Sequence, residues 1–203
     1  MPIISKWIKS ESILHNDIDI YNSVKHHISL KPRIDMLIDR INVQIAKFNE
    51  ISQSLKKQDD EVFKKITASV KRNNGEYPIT FLSDLNEIRK VYKVTTLSII
   101  VFEKLEAKLK NIANFSDLVI ILGPAVAILK SLRSCLARNI SEYKDDVAVI
   151  SELVGAILVD AGQVGGYTIN FETANNESVH FLDEISLIVE QRIKEEFRDL
   201  PDL

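Results

Sequence analysis

Residues able to do chemistry are few in this 203-residue chain, and their spacing does not assemble them. The four histidines are His15, His26, His27 and His180. None stands at zinc-ligand spacing from a cysteine or carboxylate, and the adjacent His26 and His27 point apart on a helix, so no metal centre is expected. The single cysteine, Cys135, rules out an internal disulfide framework and suits a reducing cytoplasm. Arg133 and Arg138 flank it, yet its apolar helical register reads as an inert core thiol. Gly162-Gln-Val-Gly165-Gly166 lacks a following Lys-Ser/Thr and does not follow a clear strand, so it is not a phosphate loop. Asp59-Asp60-Glu61 lacks the glycine and closing glutamate of a calcium loop and reads as a solvated turn of helix. There is no nucleophile–base set. The chain reads as a non-enzyme without a cofactor.

What the sequence does carry is periodicity. Ile34, Ile41, Phe48, Leu55 and Val62 recur every seven residues, with Ile38, Ile45 and Ile66 on the companion position. Phe81, Ile88, Phe102 and Leu109 keep the same beat further on, Thr95 filling one slot, with Leu85, Tyr92 and Ile99 beside them. Such stripes must be buried against another helix. Asn73-Asn74-Gly75-Glu76-Tyr77-Pro78 separates the two halves: Asn-Gly tolerates a turn, and Pro78 suits the first turn of a new helix. The fold class predicted is all-α, built on a long antiparallel helical hairpin over about 34–72 and 77–113. Its arms are of matched length, roughly 55–60 Å each. Shorter helices pack on this rod.

Ser116 is a plausible N-cap for a third helix through Leu118 to Leu122, which Pro124 bends before it continues to about Arg138. Gly123 and Pro124 are therefore a candidate hinge, the alternative being a fixed kink that shapes the core. A fourth helix fits Glu142 to Asp160 with Gly162 as its stop. Tyr167, Ile169 and Phe171 alternate with polar residues, which predicts one short strand-like segment near 167–172. A last amphipathic helix begins at Asn175-Asn176-Glu177. No apolar run reaches membrane-span length: Leu118 to Leu129 is interrupted by Gly123-Pro124 and reads as a buried helix. The N-terminus has no signal-peptide pattern.

Charge divides the chain into three regions. Residues 1–29 are neutral, an amphipathic segment and linker. Residues 30–139 carry 19 Lys/Arg against 12 Asp/Glu, and residues 140–203 carry 4 against 14. Either both are ordinary solvated faces, or the basic rod binds an anionic surface and the acidic third folds back to mask it. At the N-terminus, Ile3, Ile4, Trp7 and Ile8 share one helical face, with Lys6 and Lys9 on the other. That pattern suits an interfacial membrane anchor or a segment docked on the same or a neighbouring subunit.

The order of these features resembles the ESCRT-III proteins, within them the archaeal cell-division (Cdv B type) branch. The similarity runs from about Leu30 to Leu203. It is densest in Leu30-Lys-Pro-Arg-Ile-Asp-Met-Leu-Ile-Asp-Arg40, Leu85-Asn-Glu-Ile-Arg-Lys-Val-Tyr-Lys93, Leu122-Gly-Pro-Ala-Val126 with Leu132-Arg133-Ser134, and Leu158-Val-Asp-Ala-Gly-Gln163. The resemblance implies a subunit that opens from a closed form and polymerises with itself and sibling subunits on the cytosolic face of a membrane. Such filaments constrict the membrane and are recycled by an AAA ATPase with a microtubule-interacting-and-trafficking domain. On that basis residues 30–139 are the ESCRT-III-like core and 140–203 a regulatory, partner-binding region. Leu200, Pro201 and Leu203 match most of the family's extended ATPase-binding motif but lack its closing proline. Membrane contact would fall to Ile3, Ile4, Lys6, Trp7, Ile8 and Lys9 plus the basic rod, at the inner face of the cell membrane near the division site. A soluble helical adaptor or filament regulator is the competing reading. Nucleic-acid binding is disfavoured, because the basic surface interleaves few aromatics.

Overall fold

The structure is a computed structural model that describes residues 30–72, 79–166 and 171–198. Among the described residues it is helical, with five α-helices: α1 (Leu30–Arg72), α2 (Ile79–Lys110), α3 (Phe115–Asn139), α4 (Lys144–Gly165) and α5 (Phe171–Glu196). A 3-10 turn, Ser141–Tyr143, joins α3 to α4. The predicted N-terminal anchor, the predicted turn at 73–78, residues 167–170 of the predicted strand-like segment and Leu200–Leu203 lie outside the described residues.

The two heptad stripes meet as an antiparallel hairpin. Phe48 stacks on Phe102 at a centroid distance of 6.2 Å, and Asp59 meets Arg89 further along. The numbers rise on one arm as they fall on the other, which fixes the direction. Over the described residues the arms differ in length. At about 1.5 Å per residue, 43 residues of α1 span about 64 Å and 32 residues of α2 about 48 Å. The chain leaves α2 at Lys110 because Asn114 opens the next helix. Its side chain accepts from the Asp117 N–H, while Asp117 reaches back to the Ala113 N–H. This reciprocal cap moves the start of α3 ahead of Ser116, the expected cap.

Ile34, Ile41, Phe48 and Leu55 are buried as the first stripe required, as is Ile66 of the companion position, whereas Val62, Ile38 and Ile45 are half-buried. The second helix departs from a narrow stripe. Between Tyr92 and Leu109, residues on several sides of α2 are buried, Val94, Thr96, Ile100, Val101 and Leu105 among them. The cause is that α2 packs against α1, α3 and α5. Two of its buried polar residues in this stretch are satisfied locally: Thr95 Oγ1 donates to the Val91 carbonyl and Ser98 Oγ to the Val94 carbonyl.

Helix α3 runs unbroken past Pro124. From Ser116 to Asn139 it is long and apolar enough to cross a membrane by length and composition, contrary to the sequence expectation. The expectation counted only the run to Leu129, whereas the helix continues apolar through Leu132 and Leu136. Here it serves as a core helix, with Leu118, Leu122, Leu129, Leu132 and Leu136 buried. Each large apolar side chain so removed from water contributes about 1.5–3 kcal/mol. Helix α4 passes through Gly162 and stops at Gly166, the residue with a left-handed backbone (φ 64°), whose N–H returns to the Gly162 carbonyl. The strand-like segment near 167–172 is corrected at its end: Phe171 and Glu172 open α5, four residues before the expected start. Alternation over three polar–apolar pairs was outweighed by the longer helical period that follows.

Candidate functional site: the seam between the basic hairpin and the acidic helices

The acidic third of the chain lies along the basic hairpin. Five ion pairs cross this seam among the described residues, and in every one the cation comes from the hairpin and the anion from α4 or α5. On the α1–α4 side, Arg33 pairs with Asp160 and Lys47 with Asp146 (2.7 Å). Their equal separation on both helices means that α4 runs antiparallel to α1 in steady register. On the α2–α5 side, Lys104 meets Glu184 at 2.6 Å and Lys93 meets Glu190 at 3.0 Å.

The seam closes at the last turn of α5. Tyr92 donates its phenolic hydrogen to Glu196, and Lys56 reaches the same carboxylate at 2.8 Å. Phe197 is buried against Leu55 and Tyr92, its ring meeting the Tyr92 ring edge-on at 4.7 Å. Arg89 stacks on Phe197, donates to the Arg198 carbonyl at 2.9 Å and pairs with Asp59. The expectation that Asp59 is solvated is therefore wrong. It is 5% exposed, because the Arg89 guanidinium crosses from α2 to cover it.

Electrostatics follow the geometry. Burial disfavours the Glu196 anion, yet hydrogen bonds from Lys56 and Tyr92 outweigh it and hold the carboxyl below its ordinary range. Lys47, with help from Gln44, lowers Asp146, and Lys104 lowers Glu184. Burial and the neighbouring Glu142 push the Tyr143 phenol up. Most of these groups are partly exposed, so water screens each pair and leaves it weak on its own. The apolar contacts of Ile185, Val189 and Phe197 carry more of the docking.

Of the candidate site residues, only the hinge is described. Gly123 packs toward α5, where an added Cβ would sit 3.6 Å from the Ala174 Cβ. Pro124 lacks an N–H, which leaves the Ile120 carbonyl without its intrahelical donor. Pro124 and Ile120, the latter 63% exposed, line a groove of about 320 Å³ between α2, α3 and α5. Phe181 forms another wall, with the Lys104 and Lys108 ammonium groups 5.6 and 5.3 Å from its ring centroid. No group of three or more His, Cys, Asp or Glu able to hold a metal occurs among the described residues. Sequence reasoning missed the Arg89–Phe197–Tyr92 clasp. The one signal was Phe197, an aromatic at the end of the apolar face of the last helix; Arg89 reads from sequence as a solvated residue.

Two proteins of Sulfolobus acidocaldarius are similar to this chain over most of its length. Cell division protein B1 is 24% identical over 169 residues, covering 83% of this chain and 76% of the relative. Cell division protein B is 21% identical over 183 residues, covering 90% and 70%. No family model matches the chain, and no solved structure matches it.

Proposed function

We propose that this homologue of the archaeal, ESCRT-III-like cell-division B proteins is a non-enzymatic subunit that polymerises on the inner face of the cell membrane and drives its constriction and scission. One observation supports this most. Acidic helices cover a basic hairpin through ion pairs that are individually weak, an arrangement suited to a subunit held closed until a competing surface takes the cations. An anionic membrane offers that competition at about 1 kcal/mol per well-placed basic residue, a contribution that salt screens.

In this reading Ile3, Ile4, Trp7 and Ile8 insert between lipids while Lys6 and Lys9 meet the head groups. A single copy holds weakly, and self-assembly with sibling subunits supplies the avidity. Gly123 and Pro124 serve as the hinge of the closed-to-open change. Residues 30–139 form the polymerising core, and residues 140–203 regulate it and engage partners. Leu200, Pro201 and Leu203 engage the AAA ATPase that recycles subunits.

The test is co-sedimentation with anionic liposomes at low and moderate salt, comparing wild type with Trp7→Glu plus Ile4→Glu. Pelleting of wild type, weakened by salt and lost in the double variant, is the expected result. If both stay in the supernatant at low salt while binding to a sibling subunit persists, the chain is a soluble adaptor or filament regulator instead.

A further inference from the structure

The stripe of α2 that faces α5 reads Arg89, Lys93, Thr96, Ile100, Lys104, at helical spacings of three and four. Arg89, Lys93 and Lys104 all touch the C-terminal helix or the two residues after it, so this stripe is the floor on which α5 lies. Thr96 sits near the middle of it, 1% exposed. Its hydroxyl has no hydrogen-bond partner among the described residues. The neighbouring buried hydroxyls behave differently, since Thr95 and Ser98 both donate to the carbonyl four residues back. Of these three hydroxyls, only the one on the stripe that carries the α5 contacts is left unpaired.

A hydroxyl that loses water without gaining a partner opposes the closure that buries it. Lifting α5 would return Thr96 to water while leaving Thr95, on the α1 side of the helix, where it is. We propose that Thr96 is a positioning residue for the closed-to-open equilibrium. Its unpaired hydroxyl weakens the α2–α5 seam and keeps release of α5 within reach of a competing partner. This rests on the reading above in which release of α5 frees the hairpin, and it assigns the strength of that latch to one side chain.

The test is native-state amide exchange over residues 174–193 in the full chain, without lipid, for Thr96→Val, Thr96→Ser, Thr96→Cys and Thr95→Val. Valine keeps the shape and removes the unpaired group, so exchange in α5 slows by about tenfold, the effect of relieving one such penalty. Serine keeps the hydroxyl, and exchange stays at least as fast as in wild type. Cysteine has the shape of serine with the hydroxyl replaced by a weakly polar thiol, so it slows exchange relative to Thr96→Ser and provides the reading if the valine variant does not fold. Thr95→Val leaves α5 exchange unchanged. Unchanged or faster exchange in Thr96→Val against wild type, and in Thr96→Cys against Thr96→Ser, overturns the proposal. So does equal slowing by Thr96→Ser or Thr95→Val. Exchange is read without membrane or polymer. A chain that never assembles, yet shows this exchange pattern, would sink the polymer reading and leave the role of Thr96 intact.

Discussion

The Tyr92 phenol donates a hydrogen bond to Glu196, tying the middle of α2 to the last turn of α5 across more than a hundred residues of sequence. Lys56 of α1 reaches the same carboxylate, so one acidic side chain joins three helices. Phe197 stands beside it as the apolar half of the same contact.

This junction is separable by substitution. Phe197→Ala removes the buried C-terminal member of the small Leu55–Tyr92–Phe197 cluster, at about 3 kcal/mol. Tyr92→Phe removes one hydrogen bond to a carboxylate that Lys56 still serves, at about 1–2 kcal/mol. Both losses should appear as faster amide exchange in the last turns of α5, with α3 and α4 little changed.

Acid should loosen the seam. Glu184 and Glu196 are held below their ordinary value of 4.5, and Asp146 below 3.8. A carboxyl lowered in the folded state adds stability above its unfolded value and loses it as pH falls through the lowered one. Thermal stability should therefore be level from neutral pH down to about 5 and decline below that. Glu196→Gln should flatten the decline and lower the plateau.

The α1–α4 side offers a cleaner measure of one pair. Arg33 and Asp160 are 17% and 31% exposed, less than the other seam pairs. A double-mutant cycle with Arg33→Ala and Asp160→Ala should return a coupling of about 1 kcal/mol, reduced in high salt.

Gly123 and Pro124 give a test in which stability and function part company. The Ala174 contact leaves room for a Cβ at 123, and alanine is the better helix former at both positions. Gly123→Ala should gain about 1 kcal/mol by thermal melting, more with Pro124→Ala added. If these residues are the hinge, the stabilised chain assembles more slowly in sedimentation assays. Assembly at the wild-type rate would mark them as core shape alone.

The hairpin was legible because a seven-residue repeat over ten turns has few other solutions, as Ile41, Phe48, Phe102 and Leu109 show. Ends were less legible. Asn114 rather than Ser116 caps α3, since the choice turns on which side chain reaches the Asp117 N–H. Gly162 stays inside α4 because Gly166 supplies the left-handed residue a stop requires. The seam was legible only as a charge imbalance. Which lysine meets which glutamate depends on how α5 lies on α2, and a stripe of Arg89, Lys93 and Lys104 reads from sequence as a solvated face. The burial of Asp59 was hidden for the same reason, as its partner stands thirty residues away.

That α2 is covered by a helix made much later has a consequence for biosynthesis. At roughly 5–20 residues per second, α5 leaves the ribosome on the order of ten seconds after α2. During that interval the nascent hairpin presents Tyr92, Ile100 and its lysines uncovered, beside other nascent copies on the same message. A hairpin whose cover is made after it is open first. Its earliest chance to pair with a neighbour comes before it has ever been shut.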